Sequence, residues 1–203
     1  MRVADPLRST RPIDAKRQRA HENRQEMVRS AADLFTRVGY AGTTMEGIAA
    51  GAGMSVQSVY FAFHTKATLL QAAIDAATPE PDPRPRETDP DLALAELVDE
   101  ACRLLGTTGP LALAAAAAGP RDAAADEVLR RYETARSKAA SDLVARLRSR
   151  RPLAIGVTSR RASDVVYGLL SPQLHALMVH ERGWSSKRFS GWAADAIGRA
   201  LWG

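Results

Sequence analysis

The groups in this 203-residue chain that could carry catalysis or bind a metal are four histidines (His21, His64, His175 and His180), one cysteine (Cys102) and 23 carboxylates. Two histidines four apart on a helix would offer both imidazoles to one zinc ion, and no pair here has that spacing. Asp99–Glu100 and Asp126–Glu127 are sequence neighbours, which do not face each other on a helix. The run Gly51-Ala52-Gly53-Met54-Ser55-Val56 begins like a dinucleotide-binding loop but lacks the third glycine and a preceding strand. No phosphate-cradling Walker sequence, Gly-x-Ser-x-Gly elbow or His-Glu-x-x-His motif occurs. The expectation is a protein that is not an enzyme, with no metal site and no cofactor. A single cysteine also forbids an internal disulfide, which suits a reducing compartment.

A different chemistry, attraction to a polyanion, fits the placement of charge. The chain carries a formal net charge of +5. Residues 1–19 hold Arg2, Arg8, Arg11, Lys16, Arg17 and Arg19 against Asp5 and Asp14, a basic arm of the kind that contacts nucleic acid. A solvated, flexible tail is the other reading of the same charges. A second basic block, Arg146, Arg148, Arg150 and Arg151, precedes Pro152. There a helix should end, and cations stabilise helix C-termini. That block reads as structural.

Elements must position whichever groups act. Five of the eleven prolines lie between Pro79 and Pro90, which predicts a linker or long loop at 79–90. It separates an N-terminal unit (an arm over 1–20, then a domain over 21–78) from a C-terminal unit over 91–203. Both read as helical, with no alternating β-branched run long enough for a strand. Asn23 and Glu26 suggest a capping box ahead of Met27, Ala31, Leu34, Phe35 and Val38 at helical spacing, closed by Gly39. Thr43 or Thr44, Ser55 and Thr65 are candidate caps for three further helices, the last over Lys66 to about Ala77. Helices are also expected near 91–105, 110–118, 121–150, 159–180 and 185–202, about nine in all. The fold class is all-α. Two short helices joined by a glycine turn behind a longer one form a helix-turn-helix pattern, placed at about 44–63. In that arrangement the second helix enters the DNA major groove.

The residues Gly39-Tyr40-Ala41-Gly42-Thr43-Thr44, Ile48-Ala49, Ala52-Gly53-Met54-Ser55, Tyr60, Phe63, Lys66 and Leu69-Leu70 closely resemble the N-terminal domain of TetR-type transcriptional regulators over about 22–78. The resemblance implies an all-α homodimer with an N-terminal DNA-binding domain and a larger domain that binds a small ligand and dimerises. It implies that Val56, Gln57 and Phe61 face base edges. Gln57 has the geometry for two bonds to adenine, and Phe61 or Val56 suits a thymine methyl. Ser55 opens this segment. Thr44, Ser58, Tyr60 and Lys66 match phosphate-holding positions, and His64 is a further phosphate candidate. Lys66 starts a helix whose free N–H groups also attract phosphate. Ile48, Ala49, Ala52, Val59 and Phe63 match core positions. One departure is Ala62, where many relatives carry histidine. Another is that Ser55 to Phe61 contains no Arg or Lys, which shifts electrostatic affinity to Lys66, helix ends and the basic arm.

In the C-terminal unit, Phe189, Trp192, Ala193, Ala196, Ile197, Ala200 and Leu201 form an apolar stripe on the last helix. Burial within the subunit would account for it. The resemblance implies instead a four-helix interface across a two-fold axis, joined by Gly168, Ala176 and Leu177. Ser171-Pro172 either kinks the preceding helix or starts a new one. Cys102, Tyr132, Tyr167, His175 and Met178 are candidate ligand contacts, and the apolar helices point to a lipophilic effector. No apolar run reaches the length of a membrane span, the longest being Leu111 to Ala118. No signal peptide is visible. The expected protein is cytoplasmic, with operator DNA, a small effector and a second copy of itself as partners and no membrane. It is read as a ligand-released repressor. A helical binding protein of the same fold, or a ligand-dependent activator, is the alternative.

Overall fold

A computed structural model describes residues 12–79 and 88–203. Residues 1–11 of the expected arm and 80–87 of the proline-rich segment lie outside them. The described residues form helices α1 (Pro12–Gly42), α2 (Met45–Gly51), α3 (Val56–Phe63), α4 (Lys66–Ala77), α5 (Pro90–Ala118), α6 (Ala123–Arg148), α7 (Ser159–Leu169), α8 (Pro172–Ala176) and α9 (Ser186–Trp202). A π turn, Leu177–Glu181, continues α8. The described residues contain no strand.

Caps set most of the boundaries. The side chains of Thr44, Ser55 and Thr65 accept the backbone N–H groups of Gly47, Ser58 and Thr68. Each satisfies a donor that has no intrahelical partner. Asn23 is not a cap. Helix α1 begins eleven residues earlier, so residues 12–20 of the supposed flexible arm are helical. Near the other end of α1, Gly39 has φ 73° and ψ 173°, a conformation nearly confined to glycine. It breaks the helix and turns the chain toward α2.

Two expected helices, 91–105 and 110–118, are one. Pro110 lies inside α5 and cannot donate a helical bond. The helix runs through because both of its halves are anchored: Leu94, Val98, Cys102 and Leu105 in one core, Leu111, Ala112, Ala114 and Ala115 in another. The expected 159–180 helix is instead divided. Ser171 caps α8, its hydroxyl accepting the Leu174 N–H at 3.2 Å, with Pro172 in the first turn. Of the two roles considered for Pro172, it starts a helix.

The first core joins α1–α4 to the end of α5 and the start of α6; the second joins the rest of α5 and α6 to α7 and α9. Helices α5 and α6 therefore serve both. By length and composition α5 is also apolar enough to cross a membrane, although no single run in the sequence suggested it. Eleven of its residues are buried, as befits a helix shared by two cores.

Helix α2 crosses α1 closely at Gly51. A β-carbon there would lie 2.4 Å from the Ser30 hydroxyl, which itself donates to the Ile48 carbonyl at 3.0 Å. Gly51→Ala is expected to destabilise the chain by about 1–3 kcal/mol through overpacking and loss of that bond. Gly106, exposed in the middle of α5 with nothing within 4 Å of where a β-carbon would stand, gives the opposite sign. Gly106→Ala should stabilise by about 0.5–1 kcal/mol. Urea unfolding of both variants beside the parent checks the pair.

Candidate nucleic-acid interface and its junction with the C-terminal half

Helix α3 is amphipathic over only eight residues. Val59 and Phe63 are buried on its inner face, while Phe61, a large apolar side chain, is 87% exposed. Gln57, Ser58 and Tyr60 share the exposed surface, and Val56 is half-buried against the core. Thr44, Ser55 and His64 are exposed around it. The Thr44 and Ser55 hydroxyls already cap helices, and the Ser55 and Ser58 hydroxyls pair at 2.8 Å. His64 ends α3 at a positive φ of 58°, its N–H donating to the Tyr60 carbonyl at 2.9 Å.

Lys66 has a role that the sequence did not suggest. Its ammonium donates to the carbonyls of Tyr40 at 2.7 Å and Thr43 at 3.0 Å, and lies 4.2 Å from the centre of the Tyr40 ring. It thereby satisfies carbonyls at the end of α1, where a cation is also favoured by the helix dipole. An ammonium has three N–H donors. Two are used inside the chain.

Sequence reasoning missed Arg24. Its guanidinium donates to the Ala62 carbonyl at 2.9 Å and covers the Phe63 ring at 3.9 Å. It fixes the last turn of α3 from a position 38 residues earlier and puts a positive charge beside a helix that has none of its own. No local pattern marks it, since the partner is a backbone carbonyl.

Tyr40 also reaches the C-terminal half. Its hydroxyl stands near Asp122, and burial together with that carboxylate pushes the phenol up to about 12. Asp122 caps α6 by accepting the N–H groups of Ala124 and Ala125, each at 3.0 Å. The Ala125 bond foremost, then Tyr40 and the charge of Lys66, hold its carboxyl below the usual carboxylate range. Lys66, Tyr40 and Asp122 thus tie α4, the end of α1 and the start of α6 together.

The five candidate ligand contacts do not meet in one place. Cys102 is buried in the second core, its thiol pushed up to about 12 by burial and then by Asp99. Tyr132 bonds Thr108 at 3.3 Å within the first core. The Tyr167 hydroxyl donates to Glu133 at 2.6 Å, and Arg136 lies over its ring while donating to the Tyr167 and Leu170 carbonyls at the end of α7. Met178 packs on the second core. Only His175 lines a substantial cavity, about 450 Å³ between α1, the middle of α5 and α8 with its π turn.

The candidate interface residues divide as well. Phe189, Ala193 and Ile197 are fully buried in the second core of their own subunit, which takes them off any surface a second copy could touch. Packing within the subunit accounts for those three positions of the stripe. Gly168 and Leu177 are exposed, Trp192, Ala196 and Ala200 are half-buried, and Ala176 lines the cavity.

Removing the Asp122 cap tests the junction. Asp122→Ala should cost about 0.5–2 kcal/mol near neutral pH. Because the folded carboxyl titrates below its unfolded value, its contribution is complete above about pH 4 and is lost as pH falls further. The gap between parent and variant in urea midpoint should therefore shrink from pH 6 to pH 3; a gap independent of pH would remove the charge from the account.

Residues 28–73 match the family described as bacterial regulatory proteins, tetR family. Among curated protein sequences, none matches the chain significantly. Solved structures are similar over nearly the whole length. NalD of Pseudomonas aeruginosa, the secondary repressor of the MexAB-OprM multidrug efflux pump, is 20% identical with a TM-score of 0.70, the match covering 91% of this chain and 98% of that one. A TetR-family regulator from Mesorhizobium loti is 20% identical with a TM-score of 0.60, covering 90% and 96%. The transcriptional regulator FadR of Bacillus subtilis, solved with stearoyl-CoA, is 14% identical with a TM-score of 0.66, covering 87% and 98%. Residues 28–73 match the N-terminal domain of the tetR family of bacterial regulatory proteins, and the chain that carries them has the fold of solved TetR-family regulators.

Proposed function

We propose that this chain is a cytoplasmic repressor that binds a palindromic operator as a homodimer and is released by a small lipophilic effector. Residues 21–78 bind DNA; residues 91–203 take the effector and dimerise. The observation that carries the reading is the outward face of α3, where Gln57, Tyr60 and an 87% exposed Phe61 stand on a helix fixed at both ends. A phenyl ring held in water is an unfavourable arrangement that a thymine methyl would relieve.

In this reading Val56, Gln57 and Phe61 meet base edges, Gln57 bonding adenine. Thr44, Ser55, Ser58, Tyr60 and His64 contact phosphates or the adjoining sugar, and Lys66 offers its third N–H beside the start of α4. Positive charge comes from Arg24 and from Lys16, Arg17 and Arg19 on the exposed start of α1, because α3 supplies none. Gly168, Leu177, Trp192, Ala196 and Ala200 form the surface for a second copy, which would set two α3 helices about 34 Å apart, one turn of DNA. The effector favours a spacing that does not fit successive major grooves. That one solved neighbour holds stearoyl-CoA supports a ligand-binding C-terminal half.

Binding to the DNA immediately upstream of the chain's own gene, followed against salt and nonspecific competitor, tests the reading. Two protomers should occupy each palindromic site and survive competitor. Gln57→Ala should weaken that site by about 5- to 150-fold, the worth of one two-bond base contact, with nonspecific binding unchanged. Lys66→Ala should weaken all sequences alike and reduce the salt slope by about one unit. A genome-wide selection that yields only weak, sequence-independent binding would sink the regulator and leave a helical binding protein.

A further inference from the structure

The cavity between the two halves of the chain is built differently from the rest of the interior. Phe35, Thr36 and Gly39 of α1 form one wall, the stretch of α5 around Pro110 a second, and α8 with its π turn a third. None of the twelve lining residues is Lys, Arg, Asp or Glu. The polar groups are the Thr36 hydroxyl and two histidines.

The π turn is what brings the histidines together. In an α-helix, residues five apart point in different directions, but a π turn closes on the fifth residue. The Arg182 N–H bonds the Leu177 carbonyl in that pattern. His175 and His180 consequently share the wall, with ring centres 6.0 Å apart and nearly perpendicular planes. His180 is exposed at the rim. His175 is 4% exposed, its ring packs on Phe189, and its Nε2 has no hydrogen-bond partner. A polar nitrogen buried without a partner is unfavourable, and a ligand seated against the ring, with a small shift of it, can relieve that cost. Burial, then the neighbouring His180, hold the His175 imidazole below its ordinary range, so it faces the cavity uncharged. An anion would find no fixed counter-charge in the wall and would lose its hydration.

We infer that this cavity is a binding site for a compact, uncharged, mainly aromatic or alicyclic molecule bearing one hydrogen-bonding group, with His175 as its polar partner. The inference deepens the regulator reading and rests on it for its consequence: the ligand would touch α1 at Gly39, where the helix breaks toward α2, and so act on the DNA-binding half directly. Binding itself does not depend on that reading.

The test uses two probes with one skeleton. N-Phenyl-1-naphthylamine is neutral with a single N–H; 8-anilino-1-naphthalenesulfonate adds a sulfonate. Fluorescence titration of the full chain should give one neutral probe per protomer, with the anionic probe at least about tenfold weaker. Thr36→Trp, a change at the exposed rim, should lower the affinity for the neutral probe by about tenfold or more by filling the mouth. Ala176→Phe, on the opposite rim, should do the same, and circular dichroism confirms that either variant is folded. No binding of the neutral probe, equal binding of the two probes, or binding that neither variant alters would each overturn the inference. Operator binding is measured separately. A chain that takes the probe as expected but selects no DNA keeps the site and loses the regulator, and the reverse result does the opposite.

Discussion

Everything in this molecule depends on the packing of the second half of α5 and the start of α6 against the four N-terminal helices. Leu111, Ala112, Ala115, Ala125 and Val128 belong to the same core as Phe35, Ile48, Val59 and Leu70. An N-terminal unit joined only by a linker would be free to point anywhere. Here its orientation is set by shared burial, to which each fully buried Leu, Ile, Val or Phe contributes about 1.5–3 kcal/mol and each alanine methyl about 0.8 kcal/mol. Asp122 completes the arrangement by capping α6 while reaching Tyr40.

Within that frame, α3 is short and would not hold its shape alone. It is fixed by Ser55 at one end, Arg24 at the other, and Val59 and Phe63 beneath. Every one of these contacts lies on the inner side or at a terminus, which leaves the outer face free of structural duties. Lys66 is an instructive exception. A cation at the start of α4 suggests phosphate, yet the ammonium already donates to the Tyr40 carbonyl near the end of α1 and to the Thr43 carbonyl just beyond it.

What could be read from the sequence was local. Thr44, Ser55 and Thr65 are caps because a hydroxyl before an apolar run has a single favourable use, and α4 has the expected bounds for the same reason. The helix-turn-helix was legible because its spacing, glycines and core positions fall within twenty residues. What failed was tertiary. Pro110 does not end a helix whose two sides are both buried, and the candidate start at Asn23 gives way to eleven further helical residues. Periodicity alone could not say whether Phe189, Ala193 and Ile197 face a second copy or their own α5, since both surfaces demand the same spacing. Nor could it place Tyr132, Tyr167 and Met178, whose partners lie on other helices.

The alanines at 112 and 115 have a mechanical consequence. They are buried where α5 meets the N-terminal helices, and a methyl group has no rotamers to exchange. A seam of long side chains can absorb a displacement by reshuffling χ angles. A seam of methyl groups against a close-packed surface cannot. Any push on α5 along this stretch must therefore move the neighbouring backbone as a rigid body, in the manner of a shear between packed helices. The pair of small residues acts as a stiff joint between the halves, and its stiffness comes from what its side chains lack.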